Sequence, residues 1–350
     1  MAAGARTTDR GTSGAGHPPL RIGVLGAARI APGALIAPAR ERTDVEVTAV
    51  AARDTAVADR FAAEHGIARV LPDYEAVVSD PDVDVVYNPL PAGLHGCWTT
   101  AALEAGKHVL CEKPFTANAD EAAEVAAVAE STGLVLMEAF HYRYHALTER
   151  MLEVVRSGRI GQLRRVDAFF RARLGPASDI RWQPGLGPGS LMDIGTYPLH
   201  LMRTLAGEEP EVVSAEALTR SPGVDRTLLA RLRFPSGVEG HLSSAMLARH
   251  GRGDGAEIIG THGRMTVRGY VGPQGGSHLV VRSRHRGQER VQRASFTRHP
   301  TSYAAQLAAF VDAVQHGAEV PTGPADAVAQ MRAIDACYRA AGLAPRERTP

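Results

Sequence analysis

Lysine is almost missing from this chain. Of 39 lysine and arginine residues only Lys107 and Lys113 are lysines, so chemistry that needs an amine able to give up its proton has two places to happen. Cysteine is equally sparse. Cys97, Cys111 and Cys337 form no CxxC pair and no disulfide framework, which excludes a disulfide-stapled scaffold and fits small buried side chains in a reducing compartment. No run approaches the ~20 uninterrupted apolar residues of a membrane span. A net charge of +1 leaves no global field to draw the protein to nucleic acid or to an anionic membrane. Residues 1–19 are rich in Gly, Ala, Ser, Thr and Pro without an apolar core, so they read as a disordered tail and not as a secretion signal, and a cytoplasmic location is expected.

What is present is globular: 44% hydrophobic and 22% charged residues over a length of 350, for which two domains are the natural expectation. From Leu20 onward short apolar runs alternate with amphipathic stretches. Strands are predicted at 20–26, 45–52, 83–89, 107–112 and 134–139, and helices at 29–42, 55–65, 73–79, 94–105 and 119–132. Near-continuous apolar strands alternating with helices predict an α/β domain with a doubly wound parallel sheet. Past residue 140 the rhythm changes. A helix at 146–157 leads to strands at 163–172, 211–220, 226–234, 238–247, 255–268 and 278–296, joined by turns such as Pro235-Ser236-Gly237 and Thr261-His262-Gly263, and helices at 302–316 and 324–341 close the chain. The expected divisions are a tail at 1–19, a dinucleotide-binding domain at 20–140, an α+β domain with a mostly antiparallel sheet at 141–342 and a second tail at 343–350.

The first strand runs into Gly23-Val24-Leu25-Gly26-Ala27-Ala28-Arg29-Ile30-Ala31 and then a helix, the context in which a glycine fingerprint carries meaning. Read from Gly26 the pattern is G-x-A-x-x-A. Gly26, Ala28, Arg29 and Ile30 would then carry a pyrophosphate at the helix N-terminus, against the bland alternative of a tight turn with no ligand. The second strand ends in Arg53-Asp54. Arg53 offers a guanidinium fork to a ribose 2′-phosphate, so NADP(H) is favoured over NAD(H), with Asp54 as the competing ribose acceptor.

Lys113, in Glu112-Lys113-Pro114, ends the fifth strand at the carboxyl edge where such sheets bind ligands. The alternative is a lysine paired with Glu112. Pro89, Leu90 and His95 follow the fourth strand to the same edge, His95 as a nicotinamide neighbour or a helix cap, and together with Glu112 and Lys113 they are the expected cofactor contacts there. Further on, Asp193, Tyr197 and His200 fall on one helical face after a glycine-rich entry, a stripe that could meet a substrate carbonyl or alcohol. A phenol with a nearby ammonium suits proton exchange during hydride transfer. His141 and His145 have no evident third ligand, so no metal is expected. No Tyr-x-x-x-Lys pair occurs, which removes the short-chain dehydrogenase arrangement.

Taken together, Glu112-Lys113-Pro114, the stretch Met137 to His145, Asp179-Ile180-Arg181-Trp182 and the stretch Gly189 to Pro198 resemble the glucose-fructose oxidoreductase and inositol dehydrogenase family (Gfo/Idh/MocA) over about residues 20–342. They look closest to its branch of dihydrodiol dehydrogenase, xylose dehydrogenase and nucleotide-sugar 3-ketoreductases. The resemblance implies a Rossmann domain, an open-faced second sheet that forms homodimers or homotetramers, and an active site between them. It implies that Lys113 orients or protonates the substrate oxygen, that Tyr197 is the proton donor or acceptor beside Asp193, and that Arg181 and Trp182 shape the cofactor pocket. His141, Arg143 and His200 are the expected contacts of a carbohydrate-like substrate: a sugar, a nucleotide-sugar or a cyclic diol. The Asp-His dyad of inositol dehydrogenases does not carry over, because Tyr197 stands at the histidine position. Gly93 also departs, standing where relatives often have a polar side chain. An NADP-binding sensor and a cofactor-retaining glycosidase are the competing expectations. If Arg53 reads the 2′-phosphate, NADPH fluorescence rises more on binding than NADH fluorescence; a stronger NADH response would remove that role.

Overall fold

The structure, a computed structural model, describes residues 18–175, 179–285 and 288–349, so nearly all of the expected 1–19 tail lies outside the described residues. Six parallel strands make the first sheet: β1 (Leu20–Leu25), β2 (Val45–Ala51), β3 (Arg69–Val70), β4 (Val85–Asn88), β5 (His108–Cys111) and β6 (Leu136–Glu138), in the order β3-β2-β1-β4-β5-β6. The order reverses between β1 and β4, and a crevice opens there at the carboxyl ends. Between the strands lie α1 (Ala37–Arg40), α2 (Thr55–His65), α3 (Tyr74–Ser79), α4 (His95–Glu104) and α5 (Ala119–Thr132). The starts of α2, α3 and α5 follow from side-chain oxygens that accept first-turn N–H groups: Asp54 from Ala56 and Val57, Asp73 from Ala76, and Asn118 from Glu121.

The helix expected at 29–42 begins later. The chain runs an open turn to Ala31, then a π-helical turn (Pro32–Ile36), then α1. Pro32 needs no N–H partner at a helix start, and Pro38 withdraws a donor farther along, which suits the wider turn. The late start leaves Ala28 to Ile30 on an exposed or half-exposed loop.

Eight strands form the second sheet: β7 (Leu163–Arg171), β8 (Glu211–Ser221), β9 (Val224–Arg233), β10 (Glu239–Ala245), β11 (Gly253–Gly260), β12 (Gly263–Arg268), β13 (His278–His285) and β14 (Gln288–Ala294). Their order is β14-β13-β12-β11-β7-β10-β9-β8, antiparallel except for β7 with β10. Two of the expected strands are hairpins. The stretch 255–268 folds back at Thr261-His262, and 278–296 divides into β13 and β14. One face of the sheet packs on α7 (Thr196–Ala206) and α9 (Pro324–Ala340), while the other is open and carries Asp167, Phe169, Arg171, Leu229 and His241. α6 (Ala146–Arg156) links the two sheets.

The chain's end does not respect the expected division at residue 140. α8 (Ser302–His316) buries Leu307, Phe310 and Val311 among Ile22, Val24, Leu35 and Tyr87 of the first domain. Full burial of each such side chain is worth about 1.5–3 kcal/mol. α9 packs on α5 as well as on β8. The expected tail beyond residue 342 is a strap: Thr349 N–H donates to Gly93 O (3.1 Å), Asn118 Nδ2 donates to Arg346 O (2.8 Å) and Arg348 pairs with Glu124 (2.9 Å).

The strap ends in a buried charge cluster. Asp225, fully buried, accepts from Ser190 Oγ (2.8 Å), Leu191 N (2.9 Å), Tyr338 Oη (3.0 Å) and Arg346 Nη2 (2.6 Å). Removing one partner of a buried ion pair typically costs about 3–5 kcal/mol, because the other charge is left unpaired. Asp225→Asn is expected to lower the urea-unfolding free energy by about that amount; a loss under about 1 kcal/mol would mean that water reaches Arg346 freely.

Candidate active site

Three strand ends from the first sheet meet one wall from the second half of the chain, and a cavity of about 390 Å³ lies between them. β4 contributes Pro89-Leu90-Pro91, β5 contributes Glu112-Lys113-Pro114 and β6 leads to His141 in the 3-10 turn His141–Tyr144. Opposite stand Phe170 of β7, Arg181, the loop Gly187-Pro188-Gly189, and Asp193 and Tyr197 around the start of α7. Tyr303 of α8 completes the wall.

Lys113 projects into this cavity. Its Nζ donates to the backbone carbonyl of Asp193 (2.7 Å), lies 3.8 Å from Asp193 Oδ1 and sits 5.1 Å from the centroid of the Tyr197 ring. Glu112, offered by the sequence as a salt-bridge partner for Lys113, turns instead to Tyr87, whose hydroxyl donates to Oε1 (2.9 Å). Burial raises the Glu112 carboxyl pKa, opposed by Lys113 and by the Tyr87 hydrogen bond. Asp193 is shared: Arg181 Nε donates to its Oδ2 (2.9 Å), and Arg181 Nη1 also reaches Asp179 (3.1 Å). Arg29, on the turn after β1, lies 3.5 Å from Asp179. An alternating row of charges therefore runs from the β1 turn to the end of β5.

Tyr197 is 6% exposed and lies among the rings of Phe140, Tyr142, Phe170 and His141, with its hydroxyl 3.4 Å from His141 Nε2. Burial, with Tyr303, Glu112 and Asp193 nearby, pushes the phenol well above its ordinary pKa, so it stays protonated at neutral pH. Asp193 sits on a π-helical turn (Leu191–Gly195) ahead of α7, so the expected single α-helical stripe is broken there, and Pro198 falls in the first turn of α7 where its missing N–H costs nothing.

Several expected residues lie elsewhere. His95 neither caps α4, whose N-cap is Leu94, nor lines the cavity; its ring nitrogens face Leu90 O (2.6 Å) and Pro114 O (2.8 Å), tying two cavity loops together. Burial lowers its pKa to about 4, so the ring is neutral. Arg143 pairs with Glu149 (2.7 Å) outside the cavity. His200 lies behind Phe140, stacked at 4.0 Å, and bonds to Tyr142 and Asp326. Trp182 packs with Ile194, Val224 and Met246 under the Arg220 guanidinium. Phe170, Val271, Gly272 and Tyr303 line the cavity without having been singled out: they come from β7, from the loop ahead of β13 and from α8, and no local pattern marks them. Phe170 alone left a trace, in the alternation of β7.

The turn after β1 fits a dinucleotide. Gly26 has φ +91°, its N–H donates to Ala51 O (2.7 Å), and a Cβ there would stand 3.1 Å from Leu90 Cδ2, so any side chain would be strained and would fill the approach to the turn. Ile30, 39% exposed, reaches the cavity from this turn. At the end of β2 Arg53 is exposed, while the Asp54 carboxylate is engaged in capping α2. Gly93 is explained as well: a Cβ there would sit 2.7 Å from Gly185 O, so the loop and the strap above it exclude a side chain.

A parallel sheet with a glycine turn at its switch point, joined to an open sheet across a cleft that holds a lysine and a phenol, defines a dinucleotide-dependent oxidoreductase. The chain belongs to the Gfo/Idh/MocA oxidoreductase family: the profile described as "Oxidoreductase family, NAD-binding Rossmann fold" matches residues 20–140, and the "GFO/IDH/MocA C-terminal domain" matches residues 148–266. It is 38% identical over 331 residues to D-xylose 1-dehydrogenase (NADP(+)) 2 of Haloferax volcanii, covering 92% of this chain and 97% of that one. It is 40% identical over 261 residues to dTDP-3,4-didehydro-2,6-dideoxy-alpha-D-glucose 3-reductase of Streptomyces antibioticus, covering 73% and 78%. The crystal structure of a 3-ketoreductase from Actinomadura kijaniata in complex with NADP and TDP-benzene superposes with a TM-score of 0.81 at 32% identity, covering 91% of this chain and 96% of that one. No helix among the described residues is long and apolar enough to cross a membrane.

A spectrophotometric titration, wild type minus Tyr197→Phe, is expected to show no phenolate from Tyr197 below about pH 10. Phenolate absorbance gained below about pH 9 would mean that Lys113 dominates over burial.

Proposed function

We propose that the protein interconverts a secondary alcohol or hemiacetal CH–OH and the matching carbonyl of a sugar, with NADP(H) as hydride carrier and with Lys113 and Tyr197 handling the substrate oxygen. The observation that carries this reading is the Lys113 ammonium 5.1 Å from the Tyr197 ring, inside the cleft that adjoins the Gly26 turn. Gly26, Ala28, Arg29 and Ile30 would hold the pyrophosphate and Arg53 the 2′-phosphate, while Pro89, Leu90 and Arg181 would border the nicotinamide. When bound, the cofactor supplies or accepts the hydride. The NADP in the Haloferax relative's name and in the Actinomadura complex supports that choice over NAD.

In the reduction direction the Lys113 ammonium stabilises the charge that grows on the carbonyl oxygen, and the Tyr197 O–H donates the proton that completes the alcohol. Positioned acid–base groups of this kind contribute about 10²- to 10⁴-fold in rate. Asp193 holds Lys113 in place through its carbonyl and keeps Arg181 beside it. Lysine suits the post where arginine would not, because a compact ammonium reaches a single oxygen and can exchange its proton.

The cavity also bears on the substrate. Among its described lining residues the cations are Lys113 and Arg181, and both are held against Asp193. No unpaired cation waits there for a diphosphate, which favours a free sugar, as in the xylose dehydrogenase, over a nucleotide-sugar.

With D-xylose and other free aldoses and NADP⁺, absorbance at the NADPH band should rise. Lys113→Met is expected to lower kcat by about 10²- to 10⁴-fold while leaving NADPH binding by fluorescence titration unchanged. Full residual turnover in that variant would overturn the role given to Lys113.

A further inference from the structure

We propose that His141, Ser302 and Gln274 form a proton path between the Tyr197 phenol and the protein surface, which makes His141 a positioning residue of the reaction. The inference rests on the reading of Tyr197 as proton donor and acceptor. Each turnover in either direction moves one proton on or off the substrate oxygen. The phenol that handles it is buried, and with substrate and cofactor filling the cleft its proton is exchanged through its protein neighbours.

One continuous row leads away from it. Tyr197 Oη is 3.4 Å from His141 Nε2, His141 Nδ1 is 2.8 Å from Ser302 Oγ, and Ser302 Oγ donates to Gln274 Oε1 at 2.9 Å. His141 and Ser302 are buried, whereas Gln274 is exposed on the loop between β12 and β13. The His141 ring is stacked against Tyr303, with centroids 4.0 Å apart, which holds the plane of the imidazole in line with both partners. Lys113, His145, Tyr197 and Tyr303 are the titratable groups around it. Burial, with Lys113 and His145 adding repulsion, keeps this imidazole neutral, its pKa lowered to about 3. A neutral imidazole accepts a proton on one nitrogen as it releases one from the other, so no buried imidazolium need accumulate.

For alcohol oxidation the balance is as follows. The substrate C–H electron pair leaves as hydride to the nicotinamide, and the substrate O–H proton passes to the Tyr197 oxygen. The phenol's own proton moves to His141 Nε2, the Nδ1 proton moves to Ser302 Oγ, and the Ser302 hydroxyl proton passes to Gln274 Oε1 as the exposed Gln274 amide releases an N–H proton to solvent and then returns to its amide form. Reduction runs the same hops inward. The neighbouring row Tyr142–His200–Asp326 does not serve, because the Tyr142 hydroxyl points to His200 and away from Tyr197.

Ser302→Ala and His141→Ala test the path in the full-length protein with NADP⁺ and a sugar that it turns over. The expected result is a fall in kcat of about 10-fold or more, with the sugar KM and the NADPH dissociation constant unchanged. The solvent deuterium isotope effect on kcat should grow, and added imidazole should restore turnover in His141→Ala in proportion to buffer concentration. Ser302→Ala removes only one oxygen from a buried site and keeps the test decisive should His141→Ala fail to fold. Wild-type kcat and isotope effect in Ser302→Ala, or a raised KM with unchanged kcat in His141→Ala, would overturn the path. Tyr197→Phe separates the two readings: an inactive Tyr197→Phe beside a fully active Ser302→Ala sinks the path alone, and a fully active Tyr197→Phe sinks the role of Tyr197 itself.

Discussion

The Asp225 carboxylate is the constraint on which the geometry of the site depends. A buried carboxylate is tolerable only when donors replace its water, and here Ser190, Leu191, Tyr338 and Arg346 do so together. Those four come from the entry to α7, from α9 and from the carboxyl-terminal strap. One charge therefore fixes three pieces of chain that are far apart in sequence. Because Ser190 and Leu191 lead directly into Asp193 and Tyr197, their position relative to Lys113 is set from behind, by a cluster that never touches the cleft. Arg346 also donates to Pro188 O (2.6 Å), which holds the Gly187–Gly189 wall.

A second consequence follows in the cleft. The row Arg29, Asp179, Arg181, Asp193 and Lys113 alternates in sign, so the four largely shielded charges from Asp179 to Lys113 are each offset by their neighbours, while Arg29 at the outer end is exposed. The row also spans the two halves of the protein, from the β1 turn to the wall opposite. Asp193 is its shared member. It restrains the ammonium through a carbonyl as well as a carboxylate, which fixes Lys113 without neutralising it in a single tight pair.

Much of this was legible in the sequence, for reasons that can be named. Lys113 stood out because lysine is rare here and because an apolar strand ends just before it; Gly26 stood out because a strand precedes it. Both signals are local. Periodicity likewise marked the parallel strands, though not β3, whose two residues are too short to show a period, and the Thr261-His262-Gly263 turn marked the point where 255–268 folds back. The strap escaped notice because its composition is that of a tail, and only the buried Asp225 makes sense of Arg346. Tyr303, Ser302 and Gln274 all lie more than a hundred residues along the chain from His141, and side chains that converge by topology leave no spacing to read.

Two buried histidines show why residue type alone misassigns roles. His141 and His200 each sit between a tyrosine hydroxyl and another polar group, and each is kept neutral by burial. His200 ends on Asp326. Burial pushes that carboxyl up, but the hydrogen bond from His200 and the charge of Arg203 outweigh it and hold it at about 2, so the row Tyr142–His200–Asp326 terminates in a charge locked by Arg203 (2.9 Å). It fastens α7 to α9. His141 ends instead on a hydroxyl and an exposed amide, groups with no charge to trap a proton and with solvent beyond them. Similar side chains thus anchor in one row and conduct in the other, and what separates the two functions is the group at the far end of each hydrogen-bond chain.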